Sequence, residues 1–156
     1  MKGNPEIITM LNERLAEEHS AIQQYSAHAA MCKNWGYEKL VSYLLKRAET
    51  EIEHSKELMD RILYLEGTPD VTKMGIIEIG ETVSDIFLMD KEAELLAVAG
   101  YTEGIELSLS LKDYGTQTLL QHILSEEENH LSEIEQNVSQ IMQAGIGPYL
   151  AMQIGG

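Results

Sequence analysis

The sequence predicts an all-α protein: an antiparallel four-helix bundle with one long crossover between its second and third helices and a short C-terminal helix. Four long segments repeat apolar residues at the spacings of an α-helix. Only 3 prolines interrupt the 156 residues, which leaves room for long unbroken helices. Two tight turns and one long connection separate the segments, as such a bundle requires. We expect residues 1–156 to form a single domain.

The first helix is predicted over residues 5–32. Asn4 can cap its N-terminus, because Pro5 then stands at the first helical position and Glu6 lies in the first turn. The Asn-Trp-Gly sequence at residues 34–36 is expected to end the helix. The apolar face of this helix consists of Ile8, Leu11, Leu15, Ile22 and Ala29.

The other three long helices are predicted at residues 37–65, 82–111 and 113–144. Tight turns follow the first and third helices, so each of them is expected to pair antiparallel with the next. The connection 66–81 is long enough to cross the whole bundle, and a tail at residues 148–154 can add one or two turns. Thr82 and Asp85 resemble a capping box at the start of the third helix.

Acidic residues outnumber basic residues by 26 to 11, which gives a formal net charge of −15. Nucleic acid and anionic membrane surfaces repel such a chain, whereas cations are attracted to it. The single cysteine, Cys32, cannot form an internal disulfide, which suits a reducing compartment. The N-terminal stretch lacks a signal peptide's apolar core, and no apolar run reaches the length of a membrane span. These features predict a soluble, cytoplasmic protein.

Two Glu-x-x-His motifs, one on the second predicted helix and one on the fourth, carry the chemistry of the sequence. Residues three apart share a helix face, so each motif can hold one metal ion. The first and third helices each add one glutamate, and this combination is the ligand set of di-iron carboxylate bundles. The predicted ligands are Glu18, Glu51, His54, Glu94, Glu127 and His130.

The spacing of these ligands repeats within the chain. In each half, the Glu-x-x-His motif begins 33 residues after the upstream glutamate, and the two halves are offset by 76 residues. The same offset relates His54 to His130 and Tyr25 to Tyr101. A metal-free polar stripe is a poor alternative, because four carboxylates facing one core are very costly without cations. The repeat therefore predicts a pseudo-two-fold, dimetal site between two helical hairpins.

The ligand types favour iron or manganese, because carboxylate-rich sites with one imidazole per metal suit such ions. Zinc would compete for the site but has no redox chemistry. We expect Glu51 and Glu127 to bridge both metals, and Glu18 and Glu94 to be terminal ligands.

Tyr25 and Tyr101 each lie seven residues after a predicted terminal ligand, on that ligand's helix face. Either tyrosine can hydrogen-bond a ligand carboxylate or donate an electron, and plain core packing is an equally good interpretation. Tyr25 is the stronger candidate for a catalytic role. The remaining histidines lie off the ligand faces and are expected to be surface or core residues: His19, His28 and His122.

The chain resembles the bacterioferritins over essentially its whole length, in the stretches MKGNPEIITMLN, CKNWGYEKL, RILYLEGTP and AGIGPYLAMQI. The resemblance implies a hollow shell of 24 identical or near-identical subunits in octahedral arrangement. It also implies a ferroxidase centre in each subunit and a ferric mineral in the cavity. Fe(II) and either dioxygen or hydrogen peroxide would be the substrates.

Two positions depart from the family pattern. Bacterioferritins usually bind haem between two subunits through a methionine from each, and here that position is Ile52, which has no donor atom for iron. We therefore expect no haem with the usual ligation. Some family members also carry a His and an Asp on the second helix that handle iron on the cavity side, where this chain has Lys46 and Thr50. Iron is then expected to reach the mineral through the dimetal centre.

Three alternative functions share parts of this pattern. A rubrerythrin-like di-iron peroxidase usually carries a further iron domain built on four cysteines, and Cys32 alone cannot form one. A DNA-protecting mini-ferritin holds its metal between subunits and does not need a duplicated ligand set in one chain. The di-iron subunit of a mixed shell, whose partner subunit carries haem, fits both the complete ligand set and Ile52.

Overall fold

The computed structural model describes residues 1–155 and consists of five helices joined by short turns and one long connection. Its α-helices are α1 (Pro5–Trp35), α2 (Glu38–Tyr64), α3 (Val83–Ser110), α4 (Tyr114–Ala144) and α5 (Ile146–Ala151). The most extensive packing joins α1 to α2 and α3 to α4, so the bundle consists of two helical hairpins. This architecture confirms the predicted all-α four-helix bundle. No helix within residues 1–155 is both long and apolar enough to cross a membrane.

The predicted caps define the starts of two helices. The side chain of Asn4 accepts a hydrogen bond of 2.8 Å from the backbone N–H of Glu6. The side chain of Thr82 accepts one of 3.2 Å from the N–H of Asp85. At its other end α1 continues to Trp35, three residues beyond its predicted end, and stops at Gly36. Gly36 has φ of 87°, a left-handed conformation that few other residues adopt.

The C-terminal helix α5 begins and ends earlier than predicted. It starts at Ile146 instead of residue 148, because Pro148 is tolerated within the first turn of a helix and need not stand at its first position. Tyr149 is buried, and its hydroxyl donates a 2.6 Å hydrogen bond to Asn137 on α4. This contact fastens α5 to the end of the bundle.

The connection between α2 and α3 runs along the outside of α1. The backbone N–H of Glu78 donates to the side chain of Gln24 at 3.0 Å, and that of Gly80 donates to Nε2 of His28 at 3.0 Å. Because Nε2 of His28 accepts a hydrogen bond, its Nδ1 carries the proton and donates to Asp90 at 2.9 Å. Buried side chains therefore anchor the crossover to the bundle.

Two apolar clusters lie toward opposite ends of the bundle and leave a polar layer between them. One includes Cys32, Leu44 and Phe87, and the other includes Leu11 and Leu58. On each of the four long helices, the predicted metal ligands fall between the residues that belong to the two clusters. The core thus places all of these polar side chains at one level of the bundle.

Candidate metal centre

All six predicted ligands converge in this polar layer, and each is buried, with at most 3% of its surface exposed. Their ligand atoms form two overlapping groups of four, and within each group the atoms lie within 4.8 Å of one another. One group contains Glu18 and His54, and the other contains Glu94 and His130. Glu51 and Glu127 belong to both groups. The geometry therefore has the pseudo-two-fold form that the repeated spacing predicts.

The two imidazoles face the shared carboxylates through their Nδ1 atoms. Nδ1 of His54 lies 2.9 Å from Oε1 of Glu127 and 3.4 Å from Oε2 of Glu51. Nδ1 of His130 lies 3.2 Å from Oε1 of Glu51 and 3.6 Å from Oε1 of Glu94. Each shared glutamate thus lies within about 4 Å of both imidazoles.

Each of the six side chains also has a buried atom that makes no hydrogen bond. Leaving one such atom unsatisfied costs about 1–3 kcal/mol, more for a charged group, so six at one point need a common partner. Divalent cations are suitable partners, because carboxylate oxygens and imidazole nitrogens ligate them directly. The residues present therefore fit a pair of metal ions. The unpartnered atoms are Oε2 of Glu18, Oε1 of Glu51, Nδ1 of His54, Oε2 of Glu94, Oε1 of Glu127 and Nδ1 of His130.

The crowding of acidic groups changes their protonation. Burial raises the pKa of Glu18 well above its ordinary value, and the neighbouring carboxylate of Glu51 raises it further. Burial likewise raises the pKa of Glu94, with Glu127 as the next cause, and raises the pKa of Glu127 to about 8. Burial lowers the pKa of His54, but the surrounding carboxylates outweigh burial and raise this pKa overall. Without cations, the centre therefore retains protons.

Two buried tyrosines complete the centre. The hydroxyl of Tyr25 on α1 donates a 2.6 Å hydrogen bond to Oε1 of Glu94 on α3. The hydroxyl of Tyr101 on α3 donates a 2.5 Å hydrogen bond to Oε1 of Glu18 on α1. Both tyrosines contact a predicted ligand, as the sequence suggested, but each contacts the glutamate of the opposite hairpin. Burial raises the pKa of both phenols, which keeps them protonated as donors.

Comparison with known proteins identifies the family. A model of the ferritin-like domain matches residues 8–144, most of the chain. A bacterioferritin of Streptomyces coelicolor is 34% identical over 99% of this chain and 92% of its own length. A bacterial ferritin of Synechocystis is 34% identical over 99% of both chains, and a bacterioferritin of Mycobacterium tuberculosis is 32% identical over 97% and 95%.

The chain belongs to the bacterioferritins. This membership in the ferritin-like family supports iron storage as the broad function of the protein.

Position 52, where a haem-ligating methionine is expected from the family resemblance, holds an isoleucine. Ile52 stands on α2 between Glu51 and His54, with 38% of its surface exposed, and its side chain is pure hydrocarbon. The methionine that α2 does contain, Met59, is partly buried and packs against one of the two apolar clusters. The thioether that would ligate haem iron is therefore missing from position 52.

Sequence reasoning missed one residue that contacts the centre in this bacterioferritin. Oε2 of Glu126 lies 2.7 Å from Nε2 of His54, on the side of the ring that faces away from the other carboxylates. Oε1 of Glu126 lies 3.1 Å from Nε2 of His122, which is largely exposed. Glu126 directly precedes the predicted ligand Glu127 and has no acidic counterpart in the repeat, where the corresponding position is Thr50. In the sequence, Glu126 therefore could not be distinguished from an ordinary solvent-exposed glutamate.

The histidines that were not predicted as ligands, and Lys46 and Thr50, lie outside the centre. His28 is fully buried, and its ring makes hydrogen bonds to Asp90 and to the crossover. His122 lies at the surface. The side chain of Thr50 donates to the backbone carbonyl of Lys46, within their own helix. Neither Thr50 nor Lys46 belongs to the groups of atoms that can hold a metal.

A cavity of about 230 Å³ leads from the surface to the centre between α1 and α3. Four of the predicted ligands line it, together with exposed Leu96 and Ile76. The small side chains of Ala21, Ala93 and Ala97 also line it and keep it open. The cavity offers a path along which a small cation can reach the carboxylates.

Proposed function

We propose that the protein is an iron-storage ferroxidase. It oxidises Fe(II) to Fe(III) at the dimetal centre and deposits the product as ferric mineral inside a hollow multi-subunit shell. The observation that carries this proposal is the convergence of six unpartnered ligand atoms in two overlapping groups that share Glu51 and Glu127. Membership in the bacterioferritins favours iron over manganese as the metal.

The position of each residue in the two groups of ligand atoms indicates its role in metal binding. Glu51 and Glu127 would each hold both irons, because each belongs to both groups of ligand atoms. Glu18 and Glu94 would be terminal ligands, because a tyrosine hydroxyl holds one oxygen of each and the other oxygen has no hydrogen-bond partner. The fourth residue in each group is a histidine, His54 in one group and His130 in the other.

The carboxylates also set the electrostatics of the reaction. Four glutamates carry enough negative charge to attract two Fe(II) ions and to stabilise the higher charge of Fe(III). Iron supplies the redox chemistry when bound, with dioxygen or hydrogen peroxide as the electron acceptor. Burial of the four side chains excludes bulk water, which strengthens each of these interactions. As cations bind, the protons that the raised pKa values retain are released.

Self-assembly into the shell is part of this proposal. The crossover exposes a run of apolar side chains, with Val71 61%, Ile76 70% and Ile79 47% exposed. Exposed apolar surface of this extent is typical of a protein–protein interface. We propose that neighbouring subunits of the shell cover it, and we place the assembly in the cytoplasm.

A mixed shell is the second candidate, and Ile52 favours it. A partner subunit that carries the haem-binding methionine would complement this chain, which keeps the full set of dimetal ligands. Native mass spectrometry of the shell from its own source would reveal a second subunit directly.

The ferroxidase is tested by titrating metal-free protein with Fe(II) in the absence of oxygen and then admitting oxygen. We expect a break at about two irons per chain, followed by rapid appearance of ferric-oxo absorbance. A double variant, Glu51→Gln with Glu127→Gln, is expected to lose the break and the rapid phase. Glu128→Gln is the matched control, because this glutamate is exposed on the same helix. Binding without oxidation would refute the ferroxidase, and absence of stoichiometric binding would refute the dimetal site.

A further inference from the structure

Tyr25 and Tyr101 are equivalent in their contacts as well as in their sequence spacing. They are 1% and 0% exposed, and their hydroxyls donate hydrogen bonds of 2.6 Å and 2.5 Å. Each hydroxyl binds Oε1 of a predicted terminal ligand, Glu94 or Glu18, whose Oε2 is left without a hydrogen-bond partner. Each predicted metal position therefore has one phenol nearby, which is connected to it through the carboxylate of a terminal ligand.

Core packing does not account for this arrangement. A phenylalanine would fill the same space without a buried hydroxyl that needs a partner. Tyr149 shows the alternative, because it is also buried but gives its hydroxyl to Asn137, away from the predicted ligands. Two phenols that both end on ligands of one centre indicate a function at that centre.

The electron count of the proposed reaction supplies such a function. Reduction of one dioxygen to two waters takes four electrons and four protons, and a pair of Fe(II) ions supplies only two electrons. Each tyrosine can give one electron together with its hydroxyl proton. The two phenols together make up the difference.

We propose that Tyr101 is a second redox-active tyrosine, which donates one electron during dioxygen reduction alongside Tyr25. The inference rests on the proposed ferroxidase function. Each O–H bond breaks, the proton passes to the hydrogen-bonded carboxylate oxygen and from there to the reduced oxygen, and the electron passes to dioxygen. Two Fe(II), two tyrosines, one dioxygen and two solvent protons then give two Fe(III), two phenoxyl radicals and two waters. Two further Fe(II) ions, each with a proton, return the radicals to tyrosine.

The test compares Tyr25→Phe, Tyr101→Phe, their double variant and Tyr149→Phe, which also removes one buried, hydrogen-bonded hydroxyl. Anaerobic titration with Co(II) first establishes that each variant still binds metal at the centre. Fe(II)-loaded protein is then mixed with oxygen and freeze-quenched for electron paramagnetic resonance. Ring-deuterated tyrosine identifies the radical, because deuteration collapses its hyperfine splitting. Released hydrogen peroxide is measured in parallel.

We expect a tyrosyl signal in Tyr25→Phe at about half the unaltered yield, a similar signal in Tyr101→Phe, and none in the double variant. Hydrogen peroxide release should rise in both single variants and stay unchanged in Tyr149→Phe. Fe(II) oxidation without any tyrosyl radical in Tyr25→Phe would overturn the inference and leave the ferroxidase standing. Loss of Co(II) binding in Tyr101→Phe with an unchanged radical yield per oxidised iron would assign Tyr101 to positioning alone and also overturn it. Failure of the unaltered protein to oxidise Fe(II) would overturn the proposed function itself.

Discussion

Nε2 of His54 lies 2.7 Å from Oε2 of Glu126, while Nδ1 of the same ring faces the carboxylates of the centre. A carboxylate can only accept, so Nε2 carries the proton, and Nδ1 is left as the metal-binding atom. Such outer partners orient ligating imidazoles and raise their basicity. The residue equivalent to Glu126 in the repeat is Thr50, and its hydroxyl donates to the backbone of its own helix. The two metal positions are therefore inequivalent.

Replacement of Glu126 by alanine is expected to weaken metal binding at the His54 side by about 10–100-fold and to leave the His130 side nearly unchanged. Calorimetric titration of metal-free protein with Zn(II) should resolve this as one weakened site and one intact site. Thr50→Ala, at the equivalent position of the repeat, is the control and should bind as the unaltered protein does. Equal weakening of both sites would contradict the inequivalence.

The metal-free protein is expected to lose stability as pH rises from about 4.5 to 8. Burial raises the pKa of Glu127 from 4.5 to about 8 in the folded chain, so the folded state holds a proton that the unfolded state has released. The raised pKa values of Glu18 and His54 act in the same direction. The free energy of unfolding therefore falls across this interval. This pH dependence can be measured by using circular dichroism to monitor thermal unfolding at each pH, with chelator present.

Divalent metal should reverse this pH dependence. Cations bind the deprotonated carboxylates, so the stabilisation that they provide grows as pH rises. Glu127→Gln should flatten the metal-free profile, whereas Glu128→Gln, exposed on the same helix, should leave it unchanged. A melting temperature of the metal-free protein that increases from pH 5 to pH 8 would show that these carboxyls are not protonated in the folded chain.

The sequence predicted which six side chains come together because their spacing determines which residues share a helix face. Glu51 and His54 must lie together on any helix, and the 76-residue repeat fixes their counterparts. Contacts between helices depend on how the helices rotate about their axes, which spacing does not determine. For this reason the crossed hydrogen bonds of Tyr25 and Tyr101, and the contact of Glu126, emerged only from the packed structure.

Ile52→Met is expected to create haem binding that the unaltered protein lacks. A thioether ligates haem iron, and the isoleucine side chain cannot. Addition of haemin should give the unaltered protein no absorption spectrum of methionine-ligated haem, and should give the variant such a spectrum. Leu63→Met, which introduces an exposed methionine elsewhere on α2, should behave as the unaltered protein does. Purification of the unaltered protein with full haem occupancy would contradict the role assigned to position 52.

The cavity beside Ala93 is expected to control how fast Fe(II) reaches the centre. Ala93 lines the cavity on α3, next to the ligand Glu94, and a leucine at this position would project into its volume of about 230 Å³. Stopped-flow absorbance should show Fe(II) oxidation several-fold slower in Ala93→Leu, while anaerobic titration should give an unchanged number of irons bound. Ala99→Leu, exposed on the same helix, should oxidise Fe(II) at the unaltered rate. An unchanged rate in Ala93→Leu would mean that iron reaches the centre by another path.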